Sequence, residues 1–194
     1  MGDEAEQKMN KINSEQEKKW IKAIQKHKSR SAAEQLIGFY YDEMYRFAYR
    51  QTSSKEDAQD LTQNIFLAML RAISSYDFRK ASFRTWLYRL AVNKAVDLRR
   101  QNCRKSNISL DRLTIESFWA DDFMQQLQDK MLLQQIEAYV SLLNVEAQTV
   151  FRLHLYAEKT FPEIAVILER TESAVKSQYY RLLEQIRKEF ANRD

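Results

Sequence analysis

Apolar residues recur along this chain at intervals of three and four, the spacing that gathers them on one face of an α-helix. Trp20, Ile21 and Ile24 open the first run, and Leu36, Ile37, Phe39, Tyr40, Met44, Phe47 and Ala48 continue it. Helix is therefore predicted over about Glu15–Gln51, with room for one break at Ser29-Arg30-Ser31. Ser53-Ser54-Lys55-Glu56 combines a capping serine with an acidic first turn. The helix it starts, about Lys55–Ser74, turns Ala58, Leu61, Ile65, Phe66, Met69 and Leu70 inward and Asp57, Asp60, Gln63 and Asn64 outward. A loop over Ser74–Ser82 leads to a third long helix, Phe83–Arg104, with Leu87, Leu90, Ala91 and Leu98 at helical spacing. From Gln101 to about Asp122 the periodicity lapses, which predicts a linker with local structure around Phe118, Trp119 and Phe123. Four more helices are predicted at about 124–141, 144–156, 161–168 and 172–191.

Composition narrows the fold to one class. A chain of 194 residues with 2 Gly and 1 Pro lacks the turn chemistry of a β-sandwich, a Rossmann unit or a Gly-rich phosphate loop. The expected architecture is all-α: two small helical domains joined by a linker, the second a four-helix domain containing a helix-turn-helix. The boundaries expected are an unassigned extension over 1–19, a first domain over 20–104, a linker over 105–123 and a second domain over 124–194. Each half is large enough for a helical core of its own. No apolar run approaches the roughly 20 residues of a membrane span, and Met1–Lys11 has no signal-type apolar segment. The single Cys103 suits a reducing compartment. A cytoplasmic protein without membrane insertion is expected.

Charge adds a partner. The formal net charge of +4 conceals a block of +8 over residues 71–105, followed by −5 over 106–149. A concentrated basic block points to an anionic partner, although a solvated helix face is the plain alternative. What lies between the cations shifts that balance. Tyr76, Phe78, Phe83, Trp86, Tyr88 and Asn93 interleave with Arg79, Lys80, Arg84, Arg89, Lys94 and Arg99. Cations neutralise phosphates, rings stack on exposed bases and an asparagine reads a base edge, a mixture suited to unpaired nucleic acid. Phe83 and Trp86 lie close to the apolar face and are equally compatible with the core.

Near the C-terminus, Thr160-Phe-Pro-Glu163 is a capping box with proline in the first turn. The helix it opens stops at Glu169-Arg170-Thr171, and Thr171 can cap another beginning at Glu172. Two short helices with a tight turn, small Ala165 and apolar Val175 ten positions apart, form a helix-turn-helix pattern. Glu169 stands at the turn position that glycine often fills, and Arg170 at one that is usually apolar. Ser173, Lys176, Ser177, Tyr180 and Arg181 would face outward from the second helix.

Taken together, these segments resemble bacterial RNA polymerase sigma factors of the extracytoplasmic-function (ECF) type over roughly Ile21–Arg104 and Lys130–Phe190. Asp57-Ala-Gln-Asp-Leu-Thr-Gln-Asn-Ile-Phe-Leu67 is similar to the segment that grips the polymerase clamp. The resemblance implies core-polymerase contacts at Asp57, Asp60, Leu61, Gln63 and Asn64, the last standing where the family often has an acid. Phe83–Asn93, with Asp97 and Arg100, is similar to the segment that opens and reads the promoter −10 element. It implies a base pocket from Tyr76, Phe78, Arg79, Lys80 and Ser82, lined by Asn93, with Arg84, Arg89, Lys94 and Arg100 on the backbone. Trp86 has two roles open to it, a wedge at the strand fork or a core residue. The helix-turn-helix matches the −35 reader, implying DNA contacts by Ser173, Lys176, Ser177, Gln178, Tyr180 and Arg181. Gln178 replaces an arginine common at its position. The implied function is promoter recognition and strand opening for core polymerase in a stress or envelope response, with an anti-sigma factor as a further partner.

Other classes fit less of the chain. His27 and His154 have no ligand or nucleophile spacing. His154 between Leu153 and Leu155 reads as a partly buried, hydrogen-bonded residue. No enzyme activity, cofactor, metal or small-molecule substrate is expected. A freestanding dimeric helix-turn-helix regulator binding duplex operators accounts for residues 160–191 and leaves the aromatic–basic block without a use. A protein-interaction bundle does not explain the +8 block.

Overall fold

The computed structural model describes the backbone over residues 2–105 and 125–191, with side chains described over 15–101 and 132–190. The predicted linker core with Phe118, Trp119 and Phe123 lies outside the described residues. Every regular element among the described residues is helical: α1 (Gly2–His27), α2 (Arg30–Thr52), α3 (Lys55–Ala72), α4 (Phe83–Lys105), α5 (Gln125–Leu142), α6 (Val145–Leu155), α7 (Phe161–Leu168) and α8 (Glu172–Ala191). A single 3-10 turn, Ile73–Ser75, follows α3. The fold is all-α, with one helical region formed by α1–α4 and another by α5–α8.

The helix ends explain why the boundaries are sharp. Ser29 accepts the Ala32 N–H at 3.3 Å and Ser54 that of Asp57 at 3.3 Å. Asn144 accepts the Ala147 N–H at 2.9 Å, and Ser82 that of Thr85 at 3.1 Å. Each bond satisfies a donor that the first helical turn leaves open. Four turns reverse through left-handed backbone at Lys28, Ser53, Glu158 and Glu169, none of them glycine. A side chain in that conformation costs about 1 kcal/mol or more. The bonds that close the helix offset part of it: Lys28 N–H to Ile24 O at 3.0 Å, and Ser53 N–H to Tyr49 O at 2.7 Å.

The main apolar cluster gathers Ile21 and Ile24 of α1, Leu36, Met44 and Phe47 of α2, Leu61, Ile65 and Met69 of α3, and Phe83, Leu87 and Tyr88 of α4. It does not stop at the end of the first region. Val150, Leu153, Ala157, Ile164, Ile167 and Val175 of the second region belong to the same cluster. A smaller cluster of Val140, Phe151, Leu182 and Ile186 ties α5, α6 and α8 together. Leu70, expected inward, is exposed: Phe66, Met69 and Ile73 define the buried sector here, and Leu70 falls outside it.

Gly38 lies inside α2, and a Cβ built there meets no atom within 4 Å. Gly38→Ala is therefore expected to stabilise the fold by about 0.5–1 kcal/mol, by removing unfolded-state freedom at no steric cost. A higher urea midpoint at unchanged slope would record it.

Candidate nucleic-acid interface

Three exposed surfaces carry the residues singled out in the sequence. On α3, Asp57, Asp60, Gln63 and Asn64 line the outer face. Leu61 does not join them: it is 2% exposed and part of the core, because its helical position points at α2. The exposed apolar side chains on that face are Leu67 and Leu70. Periodicity passed over Leu67, because one apolar residue on an outward face looks like noise, and it placed Leu70 inward.

The loop before α4 is organised around Tyr76. Its ring meets Phe78 at 4.9 Å, Trp86 at 5.1 Å and Phe83 at 5.3 Å between centroids. Its hydroxyl donates to Ala81 O at 2.9 Å. Burial, with Glu17 and Asp77 nearby, pushes the phenol up to about 12. Tyr76, read from sequence as a pocket residue, is 6% exposed and serves instead as the post around which the loop folds. Phe83 is core as well, and Trp86 rests half-buried on both rings, 5.5 Å from Phe83. From α1, Gln25 Nε2 donates to Ile73 O at 2.8 Å and Tyr76 O at 2.9 Å, fixing the loop's entry. No local pattern singles out Gln25, since its partners lie about fifty residues away.

Outside this post the loop presents its cations. Arg79 and Lys80 are exposed. The Arg79 guanidinium grips Asp77 at 2.8–3.2 Å, and Asp77 Oδ1 also accepts the Arg79 N–H at 2.9 Å. That contact holds the Asp77 carboxyl down at about 2. Phe78 is half-buried beside them, and Ser82 is exposed. Along α4, Trp86, Arg89, Asn93, Asp97 and Arg100 follow one another at spacings of three and four and share a stripe. Arg84 does not belong to that stripe. It turns toward α2 and pairs with Glu43 at 2.6 Å. Lys94 sits to one side, 3.7 Å from Asp97. Arg89 is paired with Glu169 of the second region.

The third surface belongs to α8. Thr160 Oγ1 accepts the Glu163 N–H at 3.4 Å while Glu163 accepts the Thr160 N–H at 2.9 Å, completing the capping box that starts α7. Glu169 adopts φ 54°, doing what glycine would do, and the Arg170 N–H bonds Ala165 O at 2.9 Å. Thr171 accepts the Ala174 N–H at 3.3 Å, and Val175 is fully buried behind the turn. Ser173, Lys176, Ser177, Tyr180 and Arg181 then lie exposed within one sector of α8. Gln178 falls outside that sector and accepts a bond from Arg170 at 2.6 Å. His154 Nδ1 lies 2.9 Å from Lys159 O, the hydrogen-bonded setting expected for it. Among the described residues no group of three or more His, Cys, Asp or Glu is arranged to hold a metal ion. Among them, too, no helix is long and apolar enough to cross a membrane.

Known proteins resemble the chain over both helical regions. The family model for Sigma-70 region 2 matches residues 36–105, and that for Sigma-70 region 4 matches residues 133–186. The ECF RNA polymerase sigma factor SigW of Bacillus subtilis is 28% identical over 182 residues, covering 89% of this chain and 95% of its own. The RNA polymerase sigma-H factor of Pseudomonas aeruginosa is 25% identical over 185 residues, with 91% and 95% covered. Among solved structures, CnrH in complex with the cytosolic domain of CnrY superposes with a TM-score of 0.65 at 18% identity, covering 93% of this chain and 98% of that one. RpoE of Bartonella quintana, solved with the anti-sigma factor NepR, gives 0.65 at 15% identity, with 80% and 94% covered.

Tyr76→Phe keeps the ring and deletes the hydroxyl. It is expected to cost about 1 kcal/mol and to speed amide hydrogen exchange over residues 77–81, leaving exchange in α2 and α3 unchanged.

Proposed function

The chain belongs to the ECF sigma factors of bacterial RNA polymerase, and we propose how its three surfaces divide the work of that family. A sigma factor binds core polymerase, directs it to promoters and carries no catalytic group; the polymerase does the chemistry. The observation that supports the division is the order of the two matches. Region 2 falls on the helices that carry the outward carboxylates and the aromatic–basic stripe, and region 4 on α5–α8.

The outer face of α3 is the core-polymerase contact in this reading. Asp57 and Asp60 offer charge, Gln63 and Asn64 offer amides, and Leu67 and Leu70 supply the apolar centre that an interface needs. The loop and α4 take the melted −10 strand. Extruding a base costs a few kcal/mol, and stacking at about 1–3 kcal/mol per base with phosphate contacts offsets it. Arg79, Lys80, Ser82 and Phe78 form the outer wall of the pocket, with Tyr76 as its support. Asn93 and Arg100 continue along α4, and Trp86 stands at one end of the stripe as the wedge. Helices α7 and α8 act as the helix-turn-helix on the −35 element. There Ser173, Lys176, Ser177, Tyr180 and Arg181 face the groove, and Gln178 adjusts the setting of Arg170.

The functional domains in this reading are residues 20–104 and 124–194 with the linker between, and the extension over 1–19 is left unassigned. A stress or envelope signal would act through an anti-sigma partner. Its support is that RpoE of Bartonella quintana was solved with one, and CnrH with the cytosolic domain of CnrY. A freestanding dimeric regulator leaves the α4 stripe without a task.

Transcription by bacterial core polymerase on a genomic fragment library, with and without this protein, tests the reading. New start sites sharing two spaced upstream elements are expected. No initiation, together with tight binding to duplex in the absence of core, would overturn it. Within that assay Asn93→Ala and Arg79→Ala should lower open-complex formation by about 5- to 150-fold, the worth of roughly 1–3 kcal/mol of base contact, with core affinity unchanged. Asp60→Ala should instead weaken core binding by about tenfold, a contact of intermediate weight in an interface, measured by fluorescence anisotropy with core enzyme.

A further inference from the structure

Arg170 and Gln178 each depart from the usual helix-turn-helix pattern, and the fold brings them into contact. Arg170 Nη1 donates to Gln178 Oε1 at 2.6 Å and to Glu146 Oε2, in the first turn of α6, at 3.1 Å. A guanidinium carries five N–H donors. Both bonds leave from Nη1, so Nε and Nη2 have no acceptor among the described residues. Those two nitrogens form one edge of the fork that grips a carboxylate or a phosphate through two parallel bonds. The Arg170 side chain is 35% exposed, so it is held in place and still reached from outside.

Arg170 lines a groove of about 540 Å3 between the start of α6 and α8, together with Asn144, Glu146, Ser177, Gln178 and Arg181. Ser177 and Arg181 belong both to this groove and to the exposed sector of α8, so the two form one continuous surface. The groove carries two cations, Arg170 and Arg181, against one carboxylate, Glu146. The Glu146 side chain is 72% exposed. An ion pair that open is worth about 0–1 kcal/mol, enough to orient Arg170 without neutralising it. When the second helix of a helix-turn-helix enters a major groove about 12 Å wide, a sugar–phosphate strand borders it on either side. A duplex seated on α8 therefore brings one of its strands along this groove.

We propose that Arg170 is a phosphate clamp at the edge of the −35 reader, gripping the backbone of the strand that borders α8, and that Gln178 is a positioning residue that holds this clamp and reads no base. The proposal rests on the −35 reading of α7 and α8. A glutamine reads adenine bidentately by accepting through its carbonyl oxygen while its amide donates. Gln178 is half-buried and its Oε1 is already taken by Arg170, which removes the acceptor that such a contact needs. What Gln178 supplies is orientation. With Glu146 it fixes the guanidinium at Nη1 and leaves the Nε–Nη2 edge preset for a further acceptor, so little side-chain freedom is lost when a phosphate arrives. A contact of this kind carries no sequence information; it sets the register of α8 on the duplex.

The test is binding of the full chain, assembled with core polymerase, to a promoter duplex recovered from the core-dependent start sites, with single base changes across its −35 element and salt varied between about 50 and 200 mM. Arg170→Ala should weaken every one of these duplexes alike, by about tenfold, and flatten the slope of log affinity against log salt by about 0.9, the value of one phosphate. Arg170→Lys should keep the slope and recover part of the affinity, since an ammonium carries the charge without the fork. Gln178→Ala should weaken all the duplexes by about threefold with base preference and slope unchanged. Added to Arg170→Ala it should cost nothing further, because a residue that acts through Arg170 then has nothing to hold. Glu146→Gln should tighten binding by about threefold, a gain that no folding defect produces. A slope unchanged by Arg170→Ala would overturn the clamp. Losses that multiply in the double variant, or a base preference altered by Gln178→Ala, would overturn the positioning role. Absence of initiation would defeat the sigma reading and the clamp with it, whereas initiation with an unchanged slope defeats the clamp alone.

Discussion

Helix α4 has one cylinder with which to meet three neighbours, and the rest of the molecule follows from how it divides its surface. Phe83, Leu87 and Ala91 face the first core, Thr85 and Tyr88 meet α7 and Lys159, and the stripe from Trp86 to Arg100 remains for a ligand. A helix with apolar residues on one sector and cations on all others would serve only the first and last of these. The small hydroxyl of Thr85 and the ring of Tyr88 make the middle sector possible. They tolerate a polar partner such as Glu163 or Lys159 without demanding one. The aromatic post at Tyr76 then fixes the loop that precedes α4, so the loop's cations are held against a rigid base.

The turns show a second economy. With its glycines at positions 2 and 38, both inside helices, the chain reverses at Lys28, Ser53, Glu158 and Glu169 through left-handed backbone that charged and hydroxyl side chains must adopt. Each reversal costs on the order of 1 kcal/mol and returns a side chain at the tip. At Glu169 that side chain is the partner of Arg89. A glycine there would relax the backbone and forfeit the contact, so the substitution that looks like a departure from the usual turn couples the two helical regions.

The +8 block is also less uniform than its sum implies. Arg84 is neutralised by Glu43, Arg89 by Glu169, and Arg79 by Asp77 two residues earlier. Charge available to an anion is left to Lys80 at the loop tip and to the distal end of the stripe at Arg100. A phosphate at Arg89 must displace a carboxylate, whereas one at Arg100 meets no such competitor among the described contacts.

Local physics made much of this molecule readable. Capping serines at 29 and 54, the box Thr160–Glu163 and the cap at Thr171 act within four residues, so helix boundaries and the two-helix element near the C-terminus follow from the sequence. The same holds for the outward faces of α3 and α8, where the period of 3.6 decides exposure. What it left undecided depends on partners far along the chain. Tyr76 and Leu61 carry the same chemistry whether they face a ligand or a core, and only the packing of α1 and α2 against them assigned both to the interior. Lys159 looks like a surface lysine until Tyr88, seventy-one positions earlier, closes over it. The sequence by itself determined that the chain is helical, where most of its helices begin and end, and which family it resembles, because those follow from bonds and periods a few residues long; the exception is α1, read from about Glu15 and found to begin at Gly2. That the two regions share one core, and that Glu169 of the second engages Arg89 of the first, was decided by tertiary structure alone, since it rests on contacts between residues that no local rule brings together.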